Sequence, residues 1–273
     1  MAPALALVAL LLFECSPTVA PSSTVPPPNL GLGFVLTVAP APGVGVPPAD
    51  ADAGPAACPE GMVLVDGMSC PDLTQVCLRW VDPPTDKFPY TRCAEFKHPA
   101  ECKGERLHRR YCIDREEYVR PPEALPLVHL SWTEAQAVCA EVGSRLCTEA
   151  EWEFACEGEE LLPYPYGFAR DSSACNFDRT DLGKMGEGLI DHRAPVDAFP
   201  RCMSPFGVHD MVGNVDEWTE RAGKAAPNRS ALHGGWWLPG RNNCRAATLG
   251  HAEDYSGKQV GFRCCSGAAP SAR

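Results

Sequence analysis

Acidic side chains surround one tight turn in the C-terminal third of this chain. Asp210, Asp216 and Glu217 flank Gly213-Asn214 in the run Asp210-Met-Val-Gly-Asn-Val-Asp-Glu-Trp218. Calcium takes six to eight oxygens and mixes carboxylates with backbone carbonyls. A glycine turn can aim the Asp210 and Glu217 carboxylates, with two carbonyls between them, at one point. The same pattern also describes an acidic turn that is simply solvated, so the spacing leaves both readings open.

The aromatic run that follows, His233-Gly-Gly-Trp-Trp237, leads into Leu238 to Asn243. Trp236, Trp237, Arg241 and Asn242 could line a groove for a protein, peptide or glycan, or the tryptophans could be plain core. Other chemistries find no support. The 7 histidines show no metal-ligand spacing and read as hydrogen-bonding groups. There is no Gly-x-Ser-x-Gly nucleophile motif and no glycine-rich phosphate loop. Cys264-Cys265 could be a redox pair, but pairing of each with a distant cysteine is the better reading. Asn228-Arg-Ser230 is a glycosylation sequon, relevant only on a eukaryotic secretory route.

The elements that must position these residues are held by cysteine. The chain has 273 residues, a formal charge of -11 and 15 cysteines. An acidic chain lacks the basic footprint of a nucleic-acid binder. No Cys-x-x-Cys pair suggests zinc, so disulfides in an oxidising compartment explain the count. That places the protein outside the cytoplasm: periplasmic, at the cell surface or secreted. With Cys15 set aside, an even number remains for full pairing.

Residues 1–20 fit a signal peptide. The apolar run Ala4 to Phe13 is too short to span a membrane but suits a signal core. A lipidated Cys15 is the other possibility and would give membrane attachment. Residues 21–57 are rich in Pro and Ala and read as a disordered tether. The globular part is expected over residues 58–266, with a tail at 267–273. Within it, Gly61 to Asp66 reads as a strand ending in an Asp66-Gly67 turn. Tyr111 to Arg115 and Leu127 to Leu130 read as short strands.

Two helices stand out. Ser131-Trp-Thr-Glu134 and Thr148-Glu-Ala-Glu151 are capping boxes. Ala135, Val138, Cys139 and Val142 share one face of the first helix, which Gly143 is placed to end. Trp152, Ala155 and Cys156 form the inner face of the second, with Cys147 packing on Trp152.

Taken together, Ser131-Trp-x-x-Ala135, Arg145-Leu-Cys-Thr-Glu-Ala-Glu-Trp-Glu153, Ala194-Pro-Val196, Gly207, Gly213-Asn-Val-Asp-Glu-Trp218, Gly234-Gly235, Cys244-Arg-Ala-Ala247 and Gly261-Phe-Arg263 occur in a known order. Over residues 58–266 the chain resembles the formylglycine-generating enzymes, the sulfatase-modifying-factor family. The resemblance implies an α+β fold: a single loop-rich domain with little regular secondary structure, related to the C-type-lectin-like folds. It implies a calcium site on Asp210, Gly213, Val215 and Glu217, and another using Asn176 and the Phe177 carbonyl, with Gly188, Glu187 and Asp191 near its remaining position. It also implies disulfides Cys139–Cys264 and Cys156–Cys244.

One departure concerns the chemistry. The family's oxidase uses a cysteine pair shortly after Gly-Gly to bind copper(I), activate oxygen and convert a substrate cysteine to formylglycine. Here that segment is Trp236-Trp-Leu-Pro-Gly-Arg-Asn-Asn243 and contains no cysteine. Thiolates are what select copper(I), so copper is not expected, and a non-oxidase binding module is the leading expectation. The alternative is a formylglycine-generating oxidase, or another modifying enzyme, with atypical metal ligands. Family relatives that use non-haem iron carry an added N-terminal helical domain, which the Pro-rich segment 1–57 does not match.

Overall fold

The computed structural model describes residues 57–183 and 188–270. The segments read as signal peptide and tether lie outside the described residues apart from Ala57, as do Glu187 and residues 271–273 of the tail. In chain order the elements are β1 (Met62–Ser69), β2 (Leu73–Thr74), β3 (Cys77–Trp80), β4 (Cys93–Phe96), β5 (Glu101–Cys102), β6 (Leu107–Asp114), α1 (Trp132–Glu141), β7 (Arg145–Leu146), α2 (Glu149–Glu157), β8 (Asp216–Glu220), β9 (Ser230–His233), β10 (Ala247–Thr248), β11 (Val260–Phe262) and β12 (Cys264–Gly267). Much of the rest is turn and loop, so the fold is a mixed α+β, loop-rich one. No helix among the described residues is long and apolar enough to cross a membrane.

Each of two sheets has four strands, in the orders β1-β6-β12-β7 and β10-β9-β8-β11. The first is antiparallel throughout. In the second, β8 and β11 run parallel. In the N-terminal subregion a short β3–β4 hairpin lies, in chain order, between the antiparallel partners β2 and β5. Val63 and Val65 alternate inward along β1 and meet Tyr111 and Ile113 of β6.

Both helices start where their capping boxes place them. The Ser131 and Thr148 hydroxyls accept from the Glu134 and Glu151 amides, and each glutamate reaches back to its cap. Such a cap contributes about 1 kcal/mol. α1 buries Trp132, Ala135, Val138 and Cys139 against Trp218, Leu232 and Phe262. α2 buries Trp152, Phe154 and Cys156 in a second cluster with Val208, Met211 and Val212.

Several local expectations are corrected. Val142 is 57 % exposed, because it follows the last helical residue and caps α1 from outside. β1 does not turn at Asp66-Gly67 but continues to Ser69, pairing Asp66 with Arg110 and Gly67 with Arg109. Gly67 serves a close approach instead: a Cβ there would lie 2.7 Å from Glu159 Oε1. Leu127 to Leu130 form no strand, and His129 sits at φ 65°.

The 14 described cysteines form seven disulfides. Cys139–Cys264 and Cys147–Cys265 tie α1 and the approach to α2 onto β12. The adjacent Cys264 and Cys265 therefore each take a distant partner. Cys156–Cys244 ties α2 to the segment after the Trp-Trp run. Closing chain segments of this length removes roughly 4–5 kcal/mol of unfolded-state freedom per bridge on the chain-entropy estimate.

Candidate functional site

The site is assembled where the 206–217 loop enters β8. Asp210 and Asn214 adopt left-handed φ values of 55° and 52°, and Gly213 lies between them at 86°. A Cβ on Gly213 would lie 2.5 Å from the Asn176 carbonyl oxygen, so only glycine lets these two loops meet. The Asn214 side chain is the clasp. Its oxygen accepts from Asn176 Nδ2 (2.9 Å) and the Ala194 amide (2.8 Å). Its nitrogen donates to Glu117 Oε2 (2.6 Å).

Glu217 points into the interior and meets Arg263, the last residue of the Gly-Phe-Arg motif. Arg263 Nη2 donates to Oε1 at 2.6 Å and Nε donates to Oε2 at 2.7 Å. Trp152 Nε1 also donates to Oε2, at 2.7 Å. The remaining Arg263 donors reach the carbonyls of Asp114 and His209. The sequence did not single out Glu117 or Arg263 as site residues. The signal for Glu117 was available: the charged run Asp114-Arg-Glu-Glu117 directly follows the buried end of β6.

Asp210 behaves differently from Glu217. It is 2 % exposed, and neither carboxylate oxygen has a hydrogen-bond partner among the described residues. Burial pushes its pKa up to about 8, Arg263 opposing and Glu116 and Glu217 adding to the rise. Glu116 Oε2 is likewise buried without a partner. Glu117 is held well above the carboxylate range by burial, then by the charges of Asp210 and Glu217. A buried carboxylate with no donors lacks a cation, so Asp210 fits a hard metal ion. Glu217 has lone pairs left for sharing, although Arg263 already neutralises it.

Two of the side chains expected near another calcium, Asn176 and Asp191, are engaged by protein partners. Asn176 Oδ1 accepts from Arg179 Nε at 2.8 Å, and its nitrogen donates to His192 and Asn214. The Asn176 carbonyl accepts from the Asn214 amide, the Phe177 ring is core, and Asp191 is engaged by Arg193.

Beside the loop, a pocket of ≈ 140 Å³ opens between β8 and the 235–248 segment. Asp216, Gly235, Trp236, Leu238, Arg241 and Asn242 line it. Trp237 does not: it is 0 % exposed and packs on Val128 and Val215. The paired tryptophans thus split their roles, because the ring planes lie 85° apart and only one faces outward. Asn242 braces the loop by donating to the Trp236 carbonyl at 2.7 Å. Arg170, paired with Asp178, supports it from below through the Gly240 carbonyl. Asp216 is pushed up to about 7 by burial, its bond from the Gly235 amide opposing.

A mixed α+β scaffold with little regular structure, stapled by disulfides around an acidic loop and a shallow pocket, defines the class. The sulfatase-modifying factor enzyme 1-like domain matches residues 86–268, and the chain belongs to that family. The chain is 37 % identical over 160 residues to "Inactive C-alpha-formylglycine-generating enzyme 2" of Bos taurus, covering 55 % of this chain and 53 % of that protein. It is 31 % identical over 171 residues to "Formylglycine-generating enzyme" of Mus musculus, covering 54 % and 45 % respectively. The chain thus spans about half the length of the curated relatives it matches. Among solved structures, PvdO from Pseudomonas aeruginosa superposes with a TM-score of 0.50 at 16 % identity, covering 76 % of this chain and 94 % of that one. At that identity the likeness shows the fold alone.

Proposed function

We propose that this chain is an exported, calcium-bound, disulfide-stapled member of the family that acts as a binding module and not as an oxidase. The observation that carries the reading is the composition of the pocket wall. From Gly235 to Asn243 there is no thiol, and Cys244 is bonded to Cys156. Every cysteine among the described residues is in a disulfide, which leaves no thiolate pair there for copper(I). What the wall offers is Trp236, Arg241 and a buried carboxylate, which suits recognition of a protein, peptide or glycan better than oxygen chemistry. The similarity to a bovine relative named as inactive points the same way.

Calcium belongs on the Asp210 loop in this reading. Asp210 would supply the carboxylate that is otherwise buried without a counter-charge, with the Gly213 and Val215 carbonyls and Glu217 completing the set. The ion would hold the loop against the core and supply no catalytic step. Seven disulfides fit an extracytoplasmic location. The acidic chain fits no nucleic-acid partner, and attachment to a membrane would require lipidation at Cys15.

A second reading, an oxidase or other modifying enzyme with atypical metal ligands, draws on the similarity to the mouse formylglycine-generating enzyme. One assay separates the two. The protein is incubated with copper(I), oxygen and a Cys-x-Pro-x-Arg peptide, and its metal content is measured in parallel. Stoichiometric calcium without turnover supports the binding module. Formylglycine in the peptide overturns it.

A further inference from the structure

The pocket beside β8 has a feature that binding in general does not require: an acid at its floor. Asp216 is only 8 % exposed, yet its side chain lines the cavity. Among the described residues its carboxylate accepts one hydrogen bond, from the Gly235 amide to Oδ1 at 3.2 Å. No ion pair joins it to Arg241 among the described residues. The Arg241 side chain is exposed and donates to the Ala247 carbonyl at 3.3 Å. Trp236, Leu238 and Ala246 supply apolar wall around the acid.

From this geometry we infer that the pocket receives a primary ammonium on an unbranched alkyl stem, with Asp216 as its acceptor. The inference deepens the binding-module reading and rests on it. A desolvated carboxylate with a free oxygen attracts a cation more strongly than an exposed one does. One side of the carboxylate is already committed to the Gly235 amide. That leaves Oδ2 as the oxygen without a protein donor, a one-sided acceptor that suits the compact charge of an ammonium better than the two-pronged fork of a guanidinium. The apolar wall suits the methylene stem, and Trp236 can stabilise the cation through its ring face. The volume of ≈ 140 Å³ is close to the ~150 Å³ cavity that accepts a six-carbon ring, which is enough for a stem of lysine length. Asn242 is not the acceptor, because its amide holds the loop through the Trp236 carbonyl. Arg241 acts in opposition: its guanidinium lines the same pocket as Asp216, so it repels an incoming cation.

The ammonium could come from a lysine side chain of a peptide or from a free amine, and the test separates them. The full chain, saturated with calcium, is titrated calorimetrically with Nα-acetyl-lysine amide, Nα-acetyl-norleucine amide and pentylamine. The lysine probe is expected to bind at least about tenfold more tightly than the uncharged norleucine probe. Asp216→Asn should weaken the lysine probe by about tenfold or more, and Arg241→Gln should strengthen it. Weaker binding of pentylamine assigns the site to a peptide lysine; equal binding assigns it to the amine alone, and both support the ammonium site. Equal binding of lysine and norleucine probes to the wild type overturns it, a result that does not depend on any variant folding. Absence of lysine binding together with absence of formylglycine formation removes this inference and leaves the binding module standing. Formylglycine formation removes the module itself.

Discussion

Glu217 and Arg263 form a two-pronged ion pair in the centre of the domain, with Nη2–Oε1 at 2.6 Å and Nε–Oε2 at 2.7 Å. Their side chains are 1 % and 0 % exposed. The pair joins β8 to the end of β11, and the Trp152 indole adds α2 to the same carboxylate. The centre of the acidic loop is therefore anchored by a built-in cation, and Asp210 at its entrance is not.

Arg263→Gln should destabilise the domain by about 3–5 kcal/mol, because it strands a buried carboxylate. Arg263→Lys should recover only part of the loss, since an ammonium cannot serve both carboxylate oxygens and two carbonyls from one plane. Urea unfolding at pH 7 measures both. A loss under 1 kcal/mol for Arg263→Gln would show that the pair is dispensable.

Calcium should raise the melting temperature of the wild type. At a free concentration near one hundred times Kd the gain is about 2.7 kcal/mol, or roughly 5–10 °C for a domain of this size. Asp210→Asn should abolish most of that rise while leaving the metal-free protein folded, because the variant replaces a buried acid that has no donor with a neutral group of the same shape. A calcium response equal to wild type in Asp210→Asn refutes the ligand assignment.

Gly213→Ala and Gly143→Ala separate crowding from backbone strain. Both glycines have positive φ, 86° and 75°. Gly143 faces open space, so its variant should cost about 1 kcal/mol. Gly213 would drive a methyl to 2.5 Å from the Asn176 carbonyl. That variant should cost about 3 kcal/mol or more and also weaken calcium binding. Equal melting temperatures for the two variants would contradict the proposed loop contact.

Glu157 gives a pH dependence. Burial raises its pKa from 4.5 to about 7, and the Arg245 guanidinium opposes without cancelling that cost. A raised folded-state value means the protonated acid is favoured by folding. Its contribution is complete below the unfolded value and is lost as pH rises from about 4.5 through 7. Stability of the wild type should therefore fall more steeply across that window than stability of Glu157→Gln. Parallel melting curves for the two proteins from pH 4.5 to 7 would exclude this group as the source.

Much of the scaffold is legible in the sequence. The capping boxes at Ser131 and Thr148 are read within four residues, because the hydroxyl, the amide and the glutamate all belong to one helical turn. Family motifs placed the Cys139 and Cys156 partners. Periodicity failed where a residue's role was set from far away. Asp66-Gly67 has turn chemistry, yet β6 pairs along its whole length and Glu159 closes over the glycine. Val142 keeps helical spacing but falls after the last turn. Trp236 and Trp237 are adjacent and identical, so no pattern distinguishes the one that packs on Val215 from the one that faces the pocket.

By itself the sequence determined the helix starts, the supply of cysteines, the family and the absence of thiols between Gly235 and Asn243. These are properties of residue type and near neighbours. Tertiary structure alone decided that Arg263 neutralises Glu217 across 46 residues, that Glu117 reaches Asn214 across 97, and that Asp216 lies at the floor of a pocket. The reason is physical. The state of a buried charge depends on which donors surround it and on how little water remains, and both are set by chain segments that only folding brings together.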